Sequence, residues 1–452
     1  MTTTGLPQRV TVVGCGHVGL TMSVGLAELG HDVIGLDIDD ALVERLRNGV
    51  AHIEEPGLDH YLRRGLESGR LSFSSSYADS VGEAAFIFLA VDTPQSLAGA
   101  ADLRSIRSAM RGIVDNLNGT MPIIVNKSTS PIGTGETIEH LVSEALTNGH
   151  KPPRIVSNPE FLRQGRAIED FFRPDRIVVG SHSREDAQRV ADLYSSLGAP
   201  LIVTDLRTSE MIKYVANSFL ATRISFINEI ARLCEQIGAD VDLVVEGVSQ
   251  DERIGSHFFN AGIGFGGSCL PKDTAALRYI GESYGVATPL LSAVQEVNVA
   301  ARTSAVRRLR SRLGTLESKR IGVWGLTFKG GTEDTRESPA IDVVELLLNE
   351  GAIIAAFDPS VVLDEWRVPR TLSGRLQASA LDAVDGADAV AILTDWPEFT
   401  DVPLSEARQR MRGSVMFDGR NLIPRAQAEA AGFAYIGVGR VPTRHRRRAT
   451  DR

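Results

Sequence analysis

Disulfides are excluded first. The 452 residues contain only three cysteines, Cys15, Cys234 and Cys269, too few and too scattered for a cross-linked framework. A reducing, cytoplasmic setting is expected. A surplus of positive charge is also missing. The net charge of -9 argues against a nucleic-acid surface, and the one basic run, Arg444 to Arg452, reads as a solvated tail. No uninterrupted apolar stretch approaches the roughly 20 residues of a membrane span. Met1 to Gln8 do not have the basic-then-apolar form of a signal peptide. The nine histidines and three cysteines show no metal-ligand spacing, so no metal is expected. With 43% hydrophobic and 23% charged residues, what remains is a globular protein of two or three domains.

What is present begins with a phosphate-type turn. The β-branched run Arg9 to Val13 leads directly into Gly14-Cys15-Gly16-His17-Val18-Gly19. Leu20 to Leu29 carries apolar residues at helical spacing, Gly30 stops it, and Asp32 to Asp37 forms a second strand ending in an acid. In this strand–helix–strand setting the glycines allow a tight turn and close approach of a pyrophosphate to the helix N-terminus. Asp37 can bind both hydroxyls of an adenosine ribose and would repel a 2′-phosphate, so NAD is expected rather than NADP. A glycine turn used only for packing is the plainer alternative.

Further apolar runs at 85–91, 122–125, 154–156 and 176–179, separated by helical segments, predict a parallel sheet covered on both faces. Three polar corners follow such runs: Asp92-Thr93-Pro94, Lys127 to Pro131, and Asn158-Pro159-Glu160-Phe161-Leu162. Each could be ordinary turn chemistry. Their common position at the carboxyl edge, with the glycine turn, points to a cofactor mouth.

The middle of the chain reads as two long helices, 208–237 and 289–313. The first is expected to be largely buried, with Lys213 and Asn217 one turn apart on a single face, read from this segment alone as a snorkelling lysine and a solvated amide. Between them, Gly264-Phe265-Gly266-Gly267-Ser268-Cys269-Leu270-Pro271-Lys272-Asp273 sets a cysteine between a glycine loop and a helix whose first turn accepts Pro271. The helix N-terminus and Lys272 both favour the thiolate, the nucleophilic form. A buried structural thiol is the alternative. The arginines 307, 308, 310 and 312 read as a solvated or C-terminal helical face.

At Lys319 the pattern starts again: the strand and turn Arg320 to Gly325, a helix 338–349, and a strand closing on Asp358. The glycine fingerprint is incomplete, so a different nucleotide is expected there. The fold class is α/β, with two Rossmann-like doubly wound domains joined by a helical central domain. The expected boundaries are 1–205, 206–315 and 316–440, with a basic tail at 441–452.

The cysteine loop, Lys127-Ser128-Thr129, the Asn158 to Leu162 run, Ile212-Lys213-Tyr214 through Asn217, and Phe328-Lys329 with Asp334-Thr335-Arg336 together resemble the UDP-glucose/GDP-mannose dehydrogenase family, from about Arg9 to Asn421. The resemblance implies four-electron oxidation of the C6 alcohol of a nucleotide sugar by two NAD. Cys269 would be the nucleophile, Lys213 and Asn217 would stabilise the oxyanion, and Asp273, Glu160 and Thr129 would handle water and protons. It assigns the cofactor to Gly14, Gly16, His17, Val18, Gly19, Asp37, Thr93, Thr129, Gln164, Lys272 and Arg336. It assigns the nucleotide sugar to Glu160, Phe161, Leu162, Arg163, Lys213, Asn217, Asn260, Gly264, Phe265, Gly266, Phe328, Lys329 and Arg420. Arg253 would reach a neighbouring subunit's substrate, which implies a homodimer or larger.

One departure stands out. Many relatives carry a second glutamate where this chain has Gln164, and an amide cannot accept a proton. The motifs look more like the UDP-glucose branch; GDP-mannose or a UDP-N-acetylhexosamine is the alternative substrate. A catalytically silent nucleotide-sugar binder is a further reading, encouraged only by Gln164. A hydroxy-acid dehydrogenase of similar layout would need no cysteine.

Overall fold

The computed structural model describes residues 6–94, 102–119, 121–145, 154–361 and 369–440. The tail expected at 441–452 lies outside them. The chain divides into two compact units, one of residues 1–216 with 279–285, the other of 217–278 with 286–452.

The first unit is built on an eight-stranded sheet of order β3-β2-β1-β4-β5-β6-β7-β8. In chain order these strands are β1 (Arg9–Val13), β2 (Asp32–Leu36), β3 (Leu71–Ser74), β4 (Phe86–Leu89), β5 (Ile123–Asn126), β6 (Arg154–Ser157), β7 (Ile177–Ser181) and β8 (Leu201–Thr204). β1 and β4 to β6 are apolar and almost fully buried, because helices cover both faces. Strand order reverses between β1 and β4, so a crevice opens at the carboxyl end of β1. The sheet is not uniformly parallel as the apolar runs predict: β7 pairs antiparallel with β6. A short αβ-type crossover does not separate these two strands; the chain returns through the helix Ala167–Phe172 and runs the other way.

The second unit carries a five-stranded, all-parallel sheet of order β10-β9-β11-β12-β13. Its strands are β9 (Arg320–Trp324), β10 (Ile353–Phe357), β11 (Ala389–Ile392), β12 (Val415–Asp418) and β13 (Ala434–Gly437). The repeat of the first fold is visible in one backbone detail. Gly14 and Gly325 both have φ near +95° (93° and 95°), and each donates its N–H to the last residue of the neighbouring strand, Leu36 and Phe357, at 2.8 Å. The two domains then diverge. A helix begins at His17 immediately after the first turn, whereas the corresponding helix, Pro339–Asn349, begins far downstream behind an Ser338 cap.

The helix Leu206–Ile237 runs unbroken, and Pro289–Leu313 has the predicted bounds. The expectation of a largely buried first helix needs correction. In the second unit it buries Ala221, Ile227, Ala231 and Cys234 but leaves Phe219, Phe226, Leu233 and Ile237 more than half exposed on another face. Apolar residues all round a helix give no information about which face a single chain covers. No helix of the described residues is long and apolar enough to cross a membrane.

Candidate active site

In the first unit the glycine turn is shaped for a ligand rather than for packing alone. A Cβ on Gly19 would stand 1.7 Å from the Gly14 carbonyl oxygen, and one on Gly14 would stand 2.7 Å from that of Ala90, so neither position tolerates a side chain. A Cβ on Gly16 would meet nothing within 4 Å. Gly16 is exposed and caps the helix His17–Glu28, which has no side-chain cap and no acid in its first turn. Its free N–H groups and dipole therefore favour an anion there. Asp37, at the end of β2, accepts from Cys15 N–H at 2.7 Å and from Asp39 N–H at 3.1 Å. Burial, reinforced by the Asp37 charge, pushes the Cys15 thiol far above its ordinary range, so Cys15 is a packing residue. These features fit the pyrophosphate and adenosine ribose of NAD. Replacing Asp37 with Ser is expected to raise the relative efficiency with NADP by about tenfold or more, since a like charge facing the 2′-phosphate is removed. The ratio of kcat/KM for the two cofactors measures it, and an unchanged ratio would contradict this role.

Sequence reading missed Glu55. Its buried carboxylate accepts from Gly165 N–H at 2.5 Å and Ala167 N–H at 3.0 Å, and lies 2.7 Å from His17 Nε2. It thus ties the glycine turn to the loop carrying Gln164. Nothing in His52-Ile53-Glu54-Glu55-Pro56 separates it from a solvated acidic turn.

Beside the carboxyl ends of β5 and β6 lies a buried charged cluster. Lys213 is not snorkelling: its Nζ sits 2.7 Å from Glu160 Oε1, and both residues are buried. Glu160 also accepts from Leu162 N–H at 2.5 Å. Burial raises the Glu160 carboxyl, but the charges and hydrogen bonds of Lys213, Leu162 and Lys127 outweigh it and hold the group below its usual range. Lys127 donates to Asn158 Oδ1 at 3.0 Å, and Tyr194 O–H donates to the same oxygen at 2.8 Å. Burial lowers Lys127 to about 7, with Glu160 opposing and the Lys213 charge assisting the fall. Thr93 donates to the Thr129 carbonyl at 2.5 Å, so these two predicted residues do meet. Phe161 packs under the Arg176 guanidinium at 3.7 Å, while Arg163 is exposed and paired with Asp170. Leu162 and Gln164 are half-buried.

A depressed lysine gives a signed pH dependence. The folded state binds fewer protons at Lys127 than the unfolded state between about 7 and 10.5, so stability from this group is fullest above 10.5 and is lost as pH falls through 7. Comparing denaturation midpoints of the native protein and Lys127→Met from pH 6 to 9.5 should show the difference moving in the native protein's favour as pH rises. A flat difference would contradict the assignment.

In the second unit, Cys269 is exposed and stands immediately before the helix Leu270–Ser283. Asp273 N–H donates to the Cys269 carbonyl at 2.9 Å, which places Asp273 one turn along. Asp273 is 1% exposed and is held by Asn217 Nδ2 at 2.5 Å and by Lys272 Nζ at 2.8 Å. Lys272 therefore spends its charge on Asp273, not on the thiol alone as the sequence reading has it. Asn217 is likewise buried, not solvated.

The cysteine loop is fastened to the carboxyl edge of the second sheet. Asn298, which sequence reading missed, accepts from Phe265 N–H at 2.8 Å and donates to its carbonyl at 3.0 Å, imitating a strand partner. Gly264 (φ 104°) faces Asn298 with no room for a Cβ, Gly266 faces the Glu337 carbonyl, and Gly267 faces Phe328. Arg420, after β12, donates to the carbonyls of Leu393, Gly264 and Phe328 at 2.9, 3.1 and 3.1 Å. Lys329 Nζ lies 5.7 Å from the Phe328 ring. Asp358 accepts from Leu326 and Thr327 N–H at 2.7 and 3.0 Å and fixes the start of the loop that carries Phe328 and Lys329. Three further predicted residues lie at the surface. Arg253 pairs with Asp251 and Arg336 with Asp334, both arginines exposed, and Asn260 is exposed. Among the described residues no group of His, Cys, Asp and Glu is placed to hold a metal.

Comparison with known proteins accounts for nearly the whole chain. Residues 8–198 match the NAD binding domain of the UDP-glucose/GDP-mannose dehydrogenase family, 207–300 its central domain, and 322–425 its UDP binding domain. Over 437 residues the chain is 41% identical to UDP-glucose 6-dehydrogenase TuaD of Bacillus subtilis, covering 97% of this chain and 94% of that protein. The UDP-glucose dehydrogenase of Pyrobaculum islandicum has a similar solved structure (40% identity, TM-score 0.89, 97% and 99% of the two chains). A UDP-D-ManNAc dehydrogenase from Pyrococcus horikoshii is more distant, at 30% identity and TM-score 0.85 over 96% and 99%.

Proposed function

The chain belongs to the UDP-glucose/GDP-mannose dehydrogenase family, and from that premise we propose that it oxidises UDP-glucose to UDP-glucuronate with two NAD. The carrying observation is Cys269, an exposed thiol at a helix N-terminus one turn from the buried Asp273. Bound in the glycine turn, NAD supplies a hydride acceptor. The residues of the chain do the rest. As the C6 alcohol loses hydride, its proton passes to a base or water, and Cys269 thiolate adds to the aldehyde carbon to give a thiohemiacetal. Loss of a second hydride leaves a thioester, and water cleaves the C–S bond to release carboxylate and thiol. Covalent capture holds the aldehyde between oxidations.

Asn217 and Lys213, one turn apart on the same helix, supply donors for the oxyanion. Asp273, held in place by Asn217 and Lys272, is a carboxylate suited to receive protons during hydrolysis. Glu160, kept ionised by Lys213 and Lys127, and Thr129 orient water. Gln164 orients by hydrogen bonding and takes no proton. Arg420 and the glycines of the cysteine loop shape the floor for the nucleotide sugar. The greater identity to the UDP-glucose enzymes than to the UDP-D-ManNAc enzyme supports the choice of substrate.

The test is NADH formed per UDP-glucose consumed, with GDP-mannose and UDP-N-acetylglucosamine alongside. Two NADH are expected with UDP-glucose; one would remove the thioester, and activity with another sugar alone would change the substrate. The exposed row Phe219, Phe226, Leu233 and Ile237, recurring at helical spacing, supports self-association. A homodimer or larger is expected in sedimentation, and a fully active monomer would overturn this. The scattered thiols support a reducing, cytoplasmic setting.

A further inference from the structure

A cavity of about 520 Å³ in the second unit shares no residue with the cysteine loop. It is bounded by the C-terminal part of the helix Leu206–Ile237, by Pro289–Leu313, and by the strand and turn 435–440. Five arginines line it, Arg232, Arg307, Arg308, Arg312 and Arg440, against one carboxylate, Glu235. In a chain of net charge -9 this excess is local, not a reflection of composition.

The five divide by role. Two are struts. Arg308 pairs with Glu235 and donates to the Gly437 carbonyl at 2.8 Å, while Glu235 accepts from Gly439 N–H at 2.7 Å. Arg440 pairs with Asp242 at 2.5 Å and donates to Tyr435 Oη at 2.8 Å. The other three, Arg232, Arg307 and Arg312, have no hydrogen bond or ion pair among the described residues and face the same concavity.

Helix-end electrostatics accounts for part of this. Cations in the last turn of Pro289–Leu313 offset its dipole, which suffices for Arg310 and Arg312, and Arg310 is further paired with Glu350. It does not account for Arg232, on a different helix, or for Arg307, before that last turn. Like charges converging on a concave wall repel one another, and the field they focus attracts a multivalent anion. Planar guanidinium forks match phosphate oxygens two at a time. The volume lies within the range that holds small ligands.

We propose that this cavity is a non-catalytic binding site for a small polyphosphate anion, the triphosphate of a nucleotide or inorganic tripolyphosphate, clasped by Arg232, Arg307 and Arg312 over a floor braced by Arg308 and Arg440. It does not depend on which nucleotide sugar is oxidised. For Arg307 and Arg312 this role goes beyond the solvated or C-terminal helical face read from the sequence, which Arg310 and Arg312 fit by lying in the last turn.

The test is calorimetric titration of the intact enzyme with sodium tripolyphosphate and, separately, with ATP, at about 0.15 M salt and with NADH and UDP-glucose saturating. Saturable binding of tripolyphosphate is expected. Equal affinity for ATP identifies the phosphates as the whole determinant, and tighter ATP adds a contact to the nucleoside. Arg307→Gln and Arg312→Gln should each weaken binding roughly 10- to 100-fold, the worth of one charge-assisted contact. Their kcat, KM, melting temperature and sedimentation should stay as in the native enzyme. The proposal fails if neither anion binds, if the double variant binds as well as the native protein, or if UDP-glucose displaces the anion. It also fails if the double variant sediments as a smaller species, since the arginines would then serve a subunit contact.

Discussion

Cys269→Ser is expected to lower steady-state turnover on the order of 10³-fold or more while leaving the fold intact. Removing a covalent nucleophile costs losses of that size or greater in enzymes that depend on one. The hydroxyl is nearly isosteric but is not ionised near neutrality, so it cannot capture the aldehyde as a thiolate does. Cys269 is exposed and contributes nothing to the cores, so melting temperature should be unchanged. Rapid-quench analysis separates the stages. The first NADH should still form at a measurable rate, whereas the thioester and the second NADH should vanish. Turnover within tenfold of the native enzyme, with two NADH per substrate, would remove the thiol from the mechanism.

Lys213→Met should act on stability as well as rate. The Lys213–Glu160 pair is buried on both sides, at 4% and 7% side-chain exposure. Deleting one partner leaves the other charge in a poor dielectric, and such deletions cost about 3–5 kcal/mol. Glu160 should then titrate at higher pH, since the largest favourable charge beside it is gone, leaving Lys127 as its remaining cation. Replacing both partners, Lys213→Met with Glu160→Leu, should recover most of the lost stability, because no ion is left unpaired. Recovered stability without recovered turnover is the expected combination. A double variant no more stable than the single one would mean that the pair is not a mutual compensation. Denaturant midpoints with unchanged slopes are the measurement.

These two positions differ in how readable they were. Cys269 was legible because its meaning is local: a glycine loop, a thiol and a proline-started helix are consecutive in the chain. Lys213 was misjudged when its helix was read alone, since a lysine among apolar residues looks the same whether it snorkels or meets a buried acid. Only the motif set as a whole moved it toward the site, and only the fold supplied Glu160 as its partner.

The same division runs through the molecule. The glycine turn, the acid ending β2, the two long helices and the restart at β9 all follow from periodicities and turn residues within short windows, which depend on backbone geometry and side-chain spacing alone. The amino-acid sequence therefore determined the cofactor turn, the thiol and the repeated α/β plan by itself. Tertiary structure decided what pairs with what. The antiparallel β7, the Glu55 clamp between the glycine turn and the Gln164 loop, Asn298 acting as a strand partner for Phe265, and the arginines gathered from two helices and a strand end all join residues far apart in the chain. Polar partners of this kind carry no local periodicity, because their energy arises from desolvation and proximity that exist only once the chain has folded.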